Sequence, residues 1–240
     1  APGWNIWVDQ TDSLAQRDTG WIQFYCEDGQ EVIDTTLQAY RLAESVALPA
    51  MVVLDAFFLS HTYEPVDVPE QEEADRFLPP YEARFQLDTA APCSFGPLVP
   101  PAVYMEMRHD IAKAMETALS RFPGIENEYA AVFGRRYGVV EAIRCEDAEI
   151  VFVTSGTVTS TARSLLENLR SRGERLGILK IRLFRPFPVE AVRRALGGAA
   201  KVAVIDRNFS FGASGIFAQE VRAALCNAPG HPPVFGFVAD

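Results

Sequence analysis

Between Glu149 and Val238, short apolar runs alternate with amphipathic stretches, and no other feature of the chain narrows its fold so far. "EIVFVTSG" reads as a buried strand, and "LGILKIRLFRPFP", "KVAVIDR" and "VFGFV" read as a second, a third and a fourth strand. Between them, "TVTSTARSLLENLRSRG", "PVEAVRRALGG" and "ASGIFAQEVRAALC" carry helical spacing. In the first of these Val158, Ala162, Leu165, Leu166 and Leu169 fall on one inward face. Pro188 stands at one helix start, and Gly197 and Gly198 stand past its end. A βαβαβαβ order predicts a small parallel sheet covered on both faces, with any ligand beyond the carboxyl ends of its strands.

Residues 1–61 show the same unit once. "WIQFYCE" is aromatic and strand-like. Ile33, Leu37 and Tyr40, joined by Val32 and Ala43, recur at helical spacing between Gln30 and Ser45. "PAMVVLDAFFLS" then reads as a second strand buried on both faces. From His61 to Pro101 the chain is rich in proline and acid, which predicts an extended path over a surface between two sheet-bearing blocks. Two helices follow: Val103–Phe122, with Tyr104, Met107, Ile111, Met115 and Ala118 on one face, and a shorter Glu126–Tyr137 ended by Gly138.

Composition enters by exclusion. A net charge of -10 argues against nucleic acid, whose phosphates draw basic surfaces. Charges or prolines interrupt every apolar stretch before membrane-spanning length, and "APGW" at the start is not a signal peptide. A soluble cytoplasmic protein is the expectation, with no membrane partner. Cys26, Cys93, Cys145 and Cys226 lie far apart, without the spacing of a zinc or iron–sulfur site, so reduced cysteines are expected.

Three polar stretches invite a functional reading. "VIDRNFSFGASG" places Asp206, Arg207, Asn208, Ser210 and Gly212 between a strand and a helix start, where a phosphate could be cradled. It lacks the first glycine of a dinucleotide fingerprint, and an Asx-type turn with close helix packing explains it as well. "TSGTVTST" is either a second anion site or an ordinary N-cap. "DQTDSLAQRDTG" brings Asp9, Asp12, Arg17 and Asp18 together, with Trp4, Trp7 and Trp21 expected to pack around them as a pocket wall. It fails the calcium-loop pattern, and a solvated capping loop is its plain alternative. His61, His109 and His231 are too scattered for a catalytic triad, and His61 reads as a hydrogen-bonded hinge residue.

Together, "NIWVDQTDSLAQRDTGWIQFYCEDGQEVIDTTLQAYRLAE", "LSHTYEPVDVPEQEEADRFLPPY", "FGRRYGVVEAIRCEDAE", "LKIRLFRPFPVEAVRRAL" and "VAVIDRNFSFGASGI" resemble the alpha chain of the 2-oxoacid:ferredoxin oxidoreductases, the pyruvate enzymes above all. The resemblance spans essentially the whole chain. It implies an α/β fold: the end of a thiamine-diphosphate pyrimidine-binding-type domain at 1–62, a proline-rich linker and helices at 63–147, and a transketolase C-terminal-like parallel-sheet domain at 148–240. It implies oxidative decarboxylation of a 2-oxoacid to acyl-CoA and CO2, with electrons passing to ferredoxin. The complete enzyme would use thiamine diphosphate with Mg2+ and [4Fe-4S] clusters, with coenzyme A and the 2-oxoacid as substrates. Its other subunits, of beta, gamma and delta type, would be the partners.

The family's alpha chains begin before the position of Ala1 and run on past "GFVAD". The activating glutamate and the substrate-binding threonine and arginine belong to the upstream part. A partial alpha chain is therefore expected, with no catalytic residue of its own and no cofactor or metal bound by it alone. Asn5, Trp7, Asp9, Asp12 and Arg17 are expected to wall the cofactor and substrate pocket. Asp206, Arg207, Asn208, Ser210 and Gly212 are expected at a domain or subunit contact. The alternatives are a non-catalytic assembly module, a branched-chain 2-oxoacid relative, and a transketolase-like enzyme without ferredoxin.

Overall fold

A computed structural model describes residues 3–83 and 85–239. It contains two sheets. The first has the order β2-β1-β6, built from β1 (Ile22–Tyr25), β2 (Ala50–Val53) and β6 (Leu183–Arg185). The second has the order β3-β5-β4-β7-β8, built from β3 (Val140–Ile143), β4 (Ile150–Thr154), β5 (Leu176–Ile181), β7 (Lys201–Asp206) and β8 (Val234–Val238). The four strands expected from the βαβαβαβ pattern are mutually parallel, and β3, which the pattern does not contain, adds antiparallel at the edge beside β5.

The helices between these strands cover both faces. α5 (Val158–Ser171) packs Leu166 on Leu176 and Ile178, while α6 (Val189–Leu196) and α7 (Ile216–Leu225) bury Val192, Leu196, Phe217 and Val221 on the opposite side. One inward assignment fails: Leu165 is 54% exposed, because α5 lies over β4 and β5 and its flank faces solvent.

The run "LGILKIRLFRPFP" is two strands, not one. β5 is buried throughout, the backbone turns at Arg182, and β6 leaves to pair antiparallel with β1 of the other sheet. Tyr25 N donates to Arg182 O at 2.8 Å across that junction. The first sheet thus takes its third strand from the second block, although the two sheets are not continuous.

In the first block β1 and β2 pair in parallel, joined by α2 (Gly29–Val46). Asp28 caps α2 by accepting Glu31 N at 2.8 Å, and Ala47, at φ 54, ends it. The expected apolar face is not the buried one. α2 buries Glu31, Asp34, Thr35, Gln38, Ala39 and Leu42, and Tyr40 is exposed. β2 is half-buried, an edge strand rather than one covered on both faces.

The two helices expected between 103 and 137 are one, α4 (Pro101–Phe133), which runs through Pro123 and ends at Gly134 (φ 71), not Gly138. Pro123 removes one helix hydrogen bond. Pro123 and Gly124 lie on the exposed side, while Phe122, Ile125 and Tyr129 are buried around them. Burial of a Phe or Ile is worth about 1.5–3 kcal/mol each, enough to carry a helix across a proline. Tyr104 and Met107 are exposed, since the first turns of α4 extend past the body while Ala118 is buried. The described residues of 63–83 and 85–100 are extended and largely exposed apart from one short helix, α3 (Gln71–Phe77), which begins with a capping box between Glu70 and Glu73.

Candidate functional site

Both turns that could have held a phosphate are filled by the protein's own carboxylates. At the start of α5, Gly156 takes φ +62 and wraps "TSGT" around Asp55, the residue that follows β2 and Leu54. Asp55 Oδ2 accepts from Thr157 N at 2.8 Å and from Thr157 Oγ1 at 2.6 Å. A Cβ on Gly156 would stand 2.6 Å from Asp55 Oδ2, so only glycine allows the carboxylate this close. Asp55 is 2% exposed.

At the start of α7, Asp206 accepts from Phe217 N at 2.8 Å and Ala218 N at 3.2 Å, and Asn208 Oδ1 accepts from Ile216 N at 2.7 Å. Asn208 Nδ2 closes the loop by donating to Asp206 at 3.0 Å. These bonds supply acceptors for the free N–H groups of a helix start. Burial raises the Asp206 carboxyl above its usual range, against the helix N–H groups that hold it down. Gly215 sits where any side chain would collide with Asp206. Gly212 (φ +82) and Ser210, whose N donates to Ser214 O at 3.0 Å, shape the turn.

Arg207 joins the two turns. Its Nη1 donates to Thr157 Oγ1 at 2.7 Å and to Asp55 Oδ2 at 3.2 Å, and its guanidinium lies 4.7 Å from the Phe58 ring centre. Its carbonyl accepts Gln10 N at 2.9 Å, while Gln10 Nε2 donates to Asp55 Oδ1 at 2.8 Å. The N-terminal segment is thereby tied to both blocks.

The expected pocket-wall residues divide. Asn5 and Asp9 share a cleft of about 280 Å3 with Arg207, Asn208 and Phe209. Asp9 and Asp12 line a second, of about 280 Å3, with Gln10 and the end of β2. Arg17 belongs to neither; it donates to Leu14 O and lies 3.7 Å from Asp18. Asp9 Oδ1 accepts from Thr11 N at 3.0 Å and Thr11 Oγ1 at 2.6 Å, Asp12 accepts from Ser13 N, and Asn5 Oδ1 accepts from Trp7 N. The tryptophans do not pack around this loop as expected. Trp4 is 87% exposed, and Trp7 leans instead on Phe57, with ring centres 4.3 Å apart. Phe57 in turn stacks on His61, whose Nδ1 lies 2.8 Å from Ser60 Oγ.

A second buried charge cluster lies between α2 and β5. Lys180 Nζ is 2.9 Å from Glu27 and 2.7 Å from Glu31, and Arg182 Nε is 2.9 Å from Glu31 Oε1 as an ion pair without hydrogen-bond alignment. Arg182 Nη2 donates to Thr35 and Gln38, and its guanidinium packs over Phe24, Phe122 and Tyr137. Arg163 bridges Glu27 and Glu141. Burial pushes the Glu27 carboxyl up, but Arg163 and Lys180 together hold it below the usual range. The signals for this cluster were cations two apart in an apolar strand run, "LKIRL", and acids at 27, 31 and 34. Burial raises the thiols of Cys26, to about 12, and Cys145, to about 11, which keeps both protonated and poor metal ligands.

The fold is that of a 2-oxoacid oxidoreductase chain. A 2-oxoglutarate:ferredoxin oxidoreductase from Magnetococcus marinus superposes with TM-score 0.59 over 100% of this chain and 44% of that one, at 16% identity. The sequence is more specific. Residues 1–127 match the family described as pyruvate flavodoxin/ferredoxin oxidoreductase, thiamine diphosphate-binding, and 148–240 match pyruvate:ferredoxin oxidoreductase core domain II. The chain belongs to this family, as its sequence motifs imply.

Among its relatives, pyruvate synthase subunit PorA of Methanothermobacter thermautotrophicus is 45% identical over 98% of this chain and 61% of its own length. Ketoisovalerate oxidoreductase subunit VorA of Pyrococcus horikoshii is 45% identical over 97% and 59%. The chain therefore spans about three fifths of these relatives.

Neither of the two turns read as a phosphate cradle has room for the diphosphate of that cofactor. Both strand-end helix starts are closed by Asp55 and Asp206. Among the described residues no three His, Cys, Asp or Glu side chains are grouped to hold a metal ion. Nor is any described helix long and apolar enough to cross a membrane.

Proposed function

We propose that this chain is part of the alpha subunit of a cytoplasmic 2-oxoacid:ferredoxin oxidoreductase that converts pyruvate and coenzyme A to acetyl-CoA and CO2, with electrons leaving to ferredoxin. The observation that carries this is 45% identity to a pyruvate synthase subunit across 98% of the chain. Equal identity to a ketoisovalerate oxidoreductase subunit supports a second reading, a branched-chain substrate. In the complete enzyme thiamine diphosphate, Mg2+ and [4Fe-4S] clusters would be held with the help of other subunits. Residues 1–62, 63–147 and 148–240 would be the pyrimidine-type domain remainder, the linker with its helices, and the transketolase-like domain.

Within that assembly the role of this chain's residues is to wall the pocket. Asn5, Trp7, Asp9, Asp12 and Arg17 would keep water from the reacting centre and orient their neighbours, since a dry site protects reactive intermediates. Two of them, Asp9 and Asp12, line clefts at the end of β2. The test is dye reduction by the assembled enzyme with pyruvate and with a branched-chain 2-oxoacid. Asp9→Asn and Asp12→Asn are expected to lower turnover more than tenfold, above roughly 1.4 kcal/mol in the barrier, with assembly intact. Unchanged turnover in both would leave the segment as scaffold. The ratio of the two substrates decides between the readings.

A further inference from the structure

Asp55 stands at the point where three separate parts of the chain meet: the N-terminal segment through Gln10, the α5 start through Thr157, and the β7 turn through Arg207. We infer that Asp55 and Gln10 are positioning residues, and that one task of the C-terminal domain is to clamp the segment 5–12 in place.

Gln10 is 3% exposed and makes two bonds to this junction, one from its backbone N–H to Arg207 O and one from its side chain to Asp55. It also opens α1 (Thr11–Leu14): its carbonyl accepts Leu14 N at 3.0 Å and Ser13 Oγ at 3.1 Å. Among the described residues, the flanking Asn5, Asp9 and Asp12 bond only to near neighbours in sequence, Trp7, Thr11 and Ser13. Gln10 ties Asp9 and Asp12 to this junction beside the two clefts they line, while Ser13, bonded to Tyr25 and Gln23, and the buried Val8 and Leu14 anchor the segment to the first block. Arg207 is 9% exposed at its side chain, and its charge is offset by Asp55. A buried arginine–carboxylate contact of this kind gives a fixed geometry as well as energy.

The chemistry explains why a carboxylate occupies this point. Asp55 must accept from an amide N–H, a hydroxyl, a carboxamide and a guanidinium at once, and only an ionised carboxylate offers acceptors to all four without presenting a donor. Asparagine would turn one N–H2 group toward these donors.

The inference rests on the pocket-wall reading only for its consequence in turnover, and amide exchange in the assembled enzyme tests it directly. Gln10→Leu leaves the bonds of Asp55 to Thr157 and Arg207 intact. It is expected to speed exchange in peptides covering 5–19 by at least about tenfold, with α5 and α7 unchanged. Asp55→Asn is expected to do the same and to loosen the first turn of α5. Asp206→Asn, which weakens a cap inside one domain, should speed only α7. In the assembled enzyme Gln10→Leu should lower kcat with little change in KM. Unchanged exchange at 5–19 in Gln10→Leu overturns the clamp, whether or not Asp55→Asn folds. Faster exchange with full turnover upholds the clamp and removes the pocket wall.

Discussion

At Lys180 and Arg182 the two blocks meet through a cluster in which every charge has charged neighbours; at Asp55 they meet through a single carboxylate surrounded mainly by neutral donors. The first contact is closed. Glu27, Glu31, Lys180 and Arg182 are all within 5% of complete burial, and Arg182 is walled by three rings. The second borders two clefts and carries a segment in which Asn5, Ile6, Trp7, Asp9 and Asp12 are exposed while Val8 and Gln10 are buried. Buried charge serves different ends in the two places. Around Lys180 it specifies how the second block seats on the first, because a misplaced neighbour leaves an ion unpaired in a dry interior. Around Asp55 it aims a stretch of chain.

The largest break in this comparison should come from Glu31→Gln. The change leaves Lys180 and Arg182 without one of their counter-charges, and losing one partner of a buried pair costs about 3–5 kcal/mol. Urea unfolding measures it, and a loss under about 1 kcal/mol would mean that the cluster is not holding the blocks. Next, Gly156→Ala forces a Cβ against Asp55 in a left-handed backbone and should cost about 1–3 kcal/mol. Its exchange should rise at the Asp55 contact and not around Lys180.

Acid should weaken the first contact, by a smaller amount. Glu27 is held below its usual range, burial opposing and Arg163 and Lys180 prevailing; Asp34 is likewise held low, burial opposing and Arg135 and Tyr137 prevailing. A carboxyl depressed by folding adds stability above its unfolded pKa, and that stability is lost as pH falls through the folded value. Stability against urea should therefore fall as pH is lowered from about 5, and Arg163→Met should flatten that slope.

The expectation that reached furthest was periodicity. β4, β5 and β7 and their helices stand where the apolar runs put them, because strands covered on both faces must be apolar throughout; β8 forms in its expected place too, but as an exposed edge strand. The same rule failed for α2. Its buried face is Glu31, Asp34, Thr35 and Gln38, and polar residues read as outward unless their partners are known. Those partners lie far along the chain: Lys180 and Arg182 for Glu31, and Arg135 and Tyr137 for Asp34. Of the candidate site, the strand-end turns were legible as helix starts open to an anion. That Asp55 is the anion at one of them was not, since a lone aspartate in "VVLDAFF" has no spacing that marks it.

The α/β class, the parallel strands of the second block and the family could all be read from residues close together in the chain, because these depend on local periodicity and on contiguous motifs. Tertiary structure alone decided that "LGILKIRLFRPFP" divides between two sheets, that α4 continues through Pro123, and which acids are buried. The physical reason is the same in each case. A strand's partner, a helix's support across a proline and a buried charge's counter-ion are all supplied by residues distant in sequence, and their free energy exists only once the chain has brought them together.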